Sequence, residues 1–358
     1  MSHEDLTRHY RVDTGKMLDL VINLPDQIEE TWRAMKTFKP PAMKGTAPLI
    51  VCGMGGSAIG GMLLRDLIQH DARVPIYLES TYALPAFADR STPVICVSYS
   101  GNTAEVLGCF QNALMRKCPT IVVTSGGALA DEADLAGVRV IRVPAGMPPR
   151  AALGALFTPL LGLVSKWGIY PVADEEIALA IRKSRKIAEK YSLSGDPVDS
   201  RALQLAKRIY GKTVFIYGGD GLLRAAAYRW KCQFNENAKS MAFANTFPEL
   251  GHNEIMGWDC PERLRGDFFL IVLRDAEDHP RVQRGLEAVF RMVEPLASGS
   301  VLIESEGDKG RGGRLARLLS CILLGDFTSV YLAVEYGKDP TPIEKIDRIK
   351  EELKMEDA

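Results

Sequence analysis

At 358 residues the chain is long enough for two domains of ordinary size. A hydrophobic share of 46% and a charged share of 25% are those of a soluble globular protein with a substantial core. A net charge of −1 offers no electrostatic reason to expect nucleic acid or a membrane surface as partner.

The chain begins with a polar Met1–Asp5 stretch that lacks the apolar core of a signal peptide, and its apolar runs read as too short for a membrane span. A cytoplasmic location is expected. Met17, Leu18, Ile22, Leu24, Ile28, Trp32 and Met35 fall at roughly helical spacing, interrupted at Pro25, and predict two short helices on the outside of a first domain. Leu49–Cys52 reads as a buried strand. It runs into the glycine-rich turn from Gly53 to Gly61 and a helix from Met62 to about Gln69. The turn lacks clean G-x-G-x-x-G spacing and no acidic residue ends a second strand, so a dinucleotide is not indicated. Tight packing of strand on helix explains the glycines as well as ligand contact does.

Strands follow at 75–78, 94–97, 120–123 and 138–141, most of them separated by helical segments. Continuous apolar strands alternating with helices predict an α/β fold, a parallel sheet covered on both faces, with ligands at the C-terminal ends of the strands. After Val97 comes Ser98-Tyr99-Ser100-Gly101-Asn102-Thr103-Ala104-Glu105, a hydroxyl-rich turn that opens a helix. Backbone N–H groups at a helix start, with Ser98, Ser100 and Thr103 as hydroxyl donors and Gly101 allowing close approach, suit a phosphate. The loop holds no lysine and lacks P-loop spacing, which favours a monophosphate on a small molecule. The same residues also suit a helix N-cap without ligand. Pro144–Arg150 forms a rigid loop, followed by helices at 151–167 and 174–191, and Ser192–Asp199 reads as a linker turn.

The second half repeats the first. Val214–Tyr217 with Gly218–Leu223 echoes Leu49–Leu64, Phe268–Leu273 echoes Val94–Val97, and Ser300–Glu304 echoes Thr120–Thr124. In place of the hydroxyl-rich loop stands Leu273-Arg274-Asp275-Ala276-Glu277-Asp278, whose three carboxylates repel a phosphate. Two similar domains with one phosphate site per chain are expected.

Three further residues carry chemistry. Arg150, fixed between prolines and a helix, is suited to stabilise a developing enolate, though a surface arginine at a helix start fits as well. Glu236, in Asn235-Glu236-Asn237 among Trp230, Phe234, Met241 and Phe243, is a candidate general base. His252, in the polar loop Glu249-Leu250-Gly251-His252-Asn253-Glu254, suits proton transfer to a sugar oxygen near neutral pH. The C-terminal Asp339-Pro340-Thr341-Pro342 starts a helix whose Ile343, Ile346, Ile349 and Leu353 stripe predicts docking onto the body. Seven scattered cysteines, without a C-x-x-C pair or a Cys/His cluster, point to no zinc site and no disulfide framework.

These pieces, taken in order, resemble the bifunctional phosphoglucose/phosphomannose isomerases, built from two tandem sugar-isomerase (SIS) domains, and the resemblance covers nearly the whole chain. It implies doubly wound, flavodoxin-like domains at 46–170 and 201–335. An N-terminal helical segment (1–45), a connecting helix and linker (171–200) and a C-terminal helix (336–358) would complete the chain. It implies that Ser98, Ser100 and Thr103 hold the sugar phosphate and that Gly55, Gly56 and Ser57 line the sugar. Glu236 would move a proton between C1 and C2, and Arg150 would stabilise the cis-enediolate. His252 would open the sugar ring from the neighbouring subunit of a homodimer. Lys350 would assist ring opening, with Lys345 and Lys354 close by. No metal or other cofactor is implied. Another SIS sugar-phosphate or amino-sugar-phosphate isomerase, or a non-catalytic sugar-phosphate sensor, are the alternatives; Arg150, Glu236 and His252 together favour an enzyme.

Overall fold

The computed structural model describes residues 10–43, 47–193 and 200–356. His3, His9, residues 194–199 of the linker turn and the side chain of Lys354 lie outside what it describes. Helices α1 (Met17–Ile22) and α2 (Leu24–Thr37) come first, broken at Asn23. Pro25 sits in the first turn of α2, where its missing N–H costs nothing.

The first sheet is built from β1 (Leu49–Cys52), β2 (Ile76–Glu79), β3 (Val94–Val97), β4 (Thr120–Thr124) and β5 (Arg139–Arg142), all parallel and ordered β2-β1-β3-β4-β5. Crossover helices α3 (Ile59–Ile68), α4 (Ala104–Met115) and α5 (Gly127–Leu135) belong to it. β1, β3 and β4 are buried at every position, as continuous apolar strands between two helical layers must be. The order is that of flavodoxin-like folds, and its switch point lies between β1 and β3. The glycine-rich turn and the hydroxyl-rich loop therefore leave the sheet side by side.

A short 3-10 turn (Pro149–Ala151) and helices α6 (Leu153–Lys166), α7 (Asp174–Tyr191) and α8 (Arg201–Ile209) lead to the second sheet. Its strands are β6 (Thr213–Gly219), β7 (Ala242–Phe247), β8 (Phe268–Arg274) and β9 (Gly299–Glu304), again parallel, in the order β7-β6-β8-β9. This repeats the first four positions of the first sheet, so the internal repeat read from three strands extends to a fourth. That strand, β7, is not anticipated from the sequence, because Ala242-Phe243-Ala244-Asn245-Thr246-Phe247 forms a partly exposed edge rather than an apolar run. Helices α9 (Arg224–Glu236), α10 (Pro280–Val293), α11 (Arg311–Glu335) and α12 (Glu344–Glu356) complete the chain.

Helix α11 has the length and hydropathy of a membrane span, contrary to the sequence reading, but 94% of its apolar window is buried inside the fold. It is a core helix, shared by one hydrophobic cluster that runs through both halves. A second tie joins the halves at α3: Asp66 accepts from the backbone N–H of Ala225 at 2.8 Å and from Arg224 Nε at 3.1 Å. The buried carboxylate thus caps the N-terminus of α9, favoured by the helix dipole, and fixes the helix whose last residue is Glu236.

Helix α12 departs from expectation. Ile346, Ile349 and Leu353 remain exposed, so the apolar stripe does not dock onto its own chain. The Asp339–Thr341 turn ahead of it is tied down, by Arg150, Lys239 and Thr14.

Candidate active site

The hydroxyl-rich loop is held by its own side chains. Ser98 is fully buried; its hydroxyl accepts from Gly101 N at 3.1 Å and lies 2.8 Å from the Thr103 hydroxyl. Ser98 therefore shapes the loop, while Ser100 is exposed. Gly101 has φ +69°, and a Cβ there would lie 1.7 Å from Gly126 O, so only glycine fits. Thr103 is the N-cap residue of α4 but caps no N–H with its side chain, which leaves the first-turn amides open to an anion. Ser57 joins the two turns by accepting from Tyr99 N at 3.0 Å. Gly56 backs onto the next element: a Cβ would sit 2.8 Å from Arg150 N.

Arg150 is buried, not a surface arginine. Its Nε donates to Asn237 Oδ1 at 2.7 Å, and Nη2 donates to Pro340 O at 2.8 Å and Thr341 O at 2.9 Å. Nη1 faces Glu236 Oε2 at 3.6 Å. Burial pushes the guanidinium pKa down, and the Glu236 carboxylate opposes that shift. Beneath it, Arg229 donates to Arg150 O at 2.9 Å and pairs with Asp326 through Nε at 3.0 Å and Nη2 at 2.7 Å. Gln233 adds a donor to Asp326 at 2.9 Å, and Asn237 Nδ2 reaches Ser329 Oγ at 2.9 Å. This buried network joins α9, α11 and the 149–151 turn. It presents the Arg150–Glu236 pair beside the glycine-rich turn.

The surroundings of Glu236 are more polar than its sequence neighbours suggest, because Met241 and Phe243 are exposed on the outer side of β7. Lys239, which sequence reasoning passed over, stands close instead: its Nζ donates to Glu236 O at 2.7 Å and Pro340 O at 3.0 Å. Its signal in the sequence is slight, a lysine three residues beyond the helix end.

His252 lies elsewhere. Helix α9 starts beyond the C-terminal end of β6 and returns to the N-terminal end of the strands, and its 13 residues span about 20 Å. Glu236 ends that helix before β7 begins, whereas His252 follows the end of β7. One chain thus holds the two residues at opposite ends of the strands of the second sheet. The His252 loop is anchored through Glu254, which accepts from Tyr217 OH at 2.7 Å and from Asn245 Nδ2; Trp258 Nε1 donates to Tyr217 OH at 2.8 Å. Lys345 and Lys350 are exposed on α12 and make no ion pair among the described residues. Nor do the described residues include a group of three or more His, Cys, Asp and Glu side chains placed to hold a metal ion.

In the second half, the acidic loop fills its own turn. Arg317, buried, pairs with Asp275 at 2.9 Å and with Glu277, while Asp278 accepts from Asp275 N at 2.9 Å and rests against Gly219 and Gly221. Burial pushes the Asp278 carboxyl up to about 6, and the neighbouring Asp275 charge adds to it. A carboxyl raised on folding binds its proton more tightly in the folded state, so its contribution weakens stability as pH rises from about 4 to 6. Asp278→Asn keeps an acceptor for Asp275 N–H, and at pH 7 it is expected to raise unfolding stability by about 1–3 kcal/mol. Below about pH 4 the gain should vanish, which urea titrations at the two pH values would read.

Residues 198–353 match the family model described as bacterial phospho-glucose isomerase C-terminal SIS domain. The chain is 38% identical over 338 residues to a bifunctional phosphoglucose/phosphomannose isomerase of Caldicellulosiruptor bescii, covering 94% of this chain and 98% of that protein. It is 36% identical to the protein of that name from Aquifex aeolicus, over 86% of this chain and 90% of the other. Among solved structures, a hypothetical protein of Thermus thermophilus superposes with a TM-score of 0.75 at 14% identity, covering 99% of this chain and 94% of that one, a likeness of fold.

Proposed function

The chain belongs to the bifunctional phosphoglucose/phosphomannose isomerase family, and from this we infer that its site interconverts glucose 6-phosphate, mannose 6-phosphate and fructose 6-phosphate through a cis-enediolate. The observation that carries the reading is the 3.6 Å approach of Arg150 Nη1 to Glu236 Oε2 beside a loop suited to phosphate. Ser100, Thr103 and the open amides of α4 grip the phosphate, with Ser98 holding the loop in shape. Gly55, Gly56 and Ser57 border the sugar. Glu236 takes the proton from C2 of the aldose and returns it to C1, while the hydroxyl proton moves from O2 to O1. Negative charge gathers on the enediolate oxygens, where Arg150 Nη1 is the free donor of a fork otherwise engaged. Glucose and mannose 6-phosphates differ only at C2, so rotation about C2–C3 before reprotonation lets one base serve both.

Ring opening falls to His252 of a second subunit. The separation of His252 from Glu236 within one chain supports this, as do the exposed Met241 and Phe243 on an open strand edge and Met256 in the His252 loop. Subunit mixing tests it. If the histidine acts across an interface, Glu236→Gln and His252→Ala chains form a heterodimer with one intact site, and mixing restores activity to two weak homodimers. If it acts within its own chain, every site in the mixture stays impaired. A lysine from α12, Lys350 foremost, would assist by the same route from a partner.

The function itself is tested by supplying fructose 6-phosphate with a chelator present and detecting glucose 6-phosphate and mannose 6-phosphate separately. Both products are expected. Glucose 6-phosphate alone narrows the substrate, and neither product overturns the reading.

A further inference from the structure

We propose that Lys239 is a positioning residue of this isomerase site: clamped between the last carbonyl of α9 and the Pro340 carbonyl, its ammonium sets the direction in which the Arg150 fork meets Glu236. The inference rests on the function proposed above.

Lys239 has φ +54°, a left-handed conformation that follows many helix ends and that glycine adopts without penalty. The chain places a long cationic side chain there instead. That side chain folds back so that Nζ donates to Glu236 O at 2.7 Å and to Pro340 O at 3.0 Å. The Pro340 carbonyl also accepts from Arg150 Nη2 at 2.8 Å, so one oxygen is shared by two cations from separate elements. Nε of Arg150 is engaged by Asn237, and Nη2 by Pro340 and Thr341. Nη1 is what remains for Glu236 and the substrate. If the Pro340 carbonyl shifts, the planar fork must turn with it, and Nη1 leaves its line to Glu236.

The charged groups facing the ammonium are Arg150 on the 149–151 turn, Glu236 on α9, Asp339 in the C-terminal turn and Glu344 on α12. Burial and Arg150 push the Lys239 ammonium down to about 8, against the pull of the three carboxylates. Above that pH the clamp loses its charge, which gives kcat an alkaline limb.

Glycine separates positioning from capping, because Lys239→Gly suits the backbone while removing the clamp. It is expected to lower kcat about 30-fold, with KM for fructose 6-phosphate within about threefold and Tm unchanged or higher. Lys239→Arg should recover most of kcat and move the alkaline limb upward. A phosphorylated five-carbon aldonate, whose carboxylate mimics the enediolate, should bind Lys239→Gly about tenfold more weakly by calorimetry, without any turnover. Lys239→Gly with wild-type kcat and wild-type aldonate affinity overturns the proposal while leaving the isomerase intact. A wild-type protein that neither isomerises fructose 6-phosphate nor binds the aldonate overturns the functional reading, and this proposal with it.

Discussion

Glu236→Gln is expected to lower kcat for fructose 6-phosphate about 10²- to 10⁴-fold while KM moves by less than about threefold, since a positioned base contributes on this scale. The substitution is nearly isosteric. Its amide oxygen can still face Arg150 Nη1, now 3.6 Å from the carboxylate, so the arginine should keep its place. What disappears is the proton acceptor. The proposed phosphate site lies on the loop after β3, a separate element, which is why KM is expected to hold. Proton exchange at C1 of fructose 6-phosphate in deuterated water, followed by NMR, reads the step directly and should fall in parallel with kcat. Exchange that persists at more than about a tenth of the wild-type rate would assign the base to another residue. Glu236→Asp separates distance from chemistry: a carboxylate drawn back by one methylene should retain measurable exchange where glutamine does not.

Much of the architecture is legible because its signals are local. Val94–Val97 followed by Ser98–Thr103 announces strand, loop and helix in ten residues, and the repeat of that pattern exposes the second sheet. β7 escapes because it is a partly exposed edge strand, so its composition resembles a loop. The site is less legible than the fold, since its contacts span long stretches of chain. Arg150 reads as easily as a surface residue until Asn237, 87 positions away, and Pro340, 190 positions away, close around it. Lys239 is invisible for the same reason, as its worth depends on where the C-terminal turn passes. The stripe on α12 shows the converse: helical periodicity identifies the apolar face correctly, yet nothing in the spacing says whether its own chain covers it.

Asp326→Ala should unfold the protein more readily than any change at the surface. Asp326 and Arg229 are nearly inaccessible and meet through two hydrogen bonds, with Gln233 completing the carboxylate's shell. Burial alone pushes the Asp326 carboxyl up, and the Arg229 charge pulls it back. Removing the carboxylate leaves a guanidinium in the core without a counter-charge, at a cost of about 3–5 kcal/mol. Urea unfolding at fixed protein concentration is the appropriate measurement, because association would otherwise add to the apparent stability. The paired change Arg229→Met with Asp326→Leu removes both charges and should recover most of that loss, since well-packed apolar side chains often replace a buried ion pair without penalty. Activity should not recover with it: Arg229 also donates to Arg150 O at 2.9 Å, and methionine offers that carbonyl nothing. A double variant that is stable yet slow would show that the buried pair serves the orientation of Arg150 more than the stability of the fold. One that is stable and fully active would leave the pair with no part in catalysis.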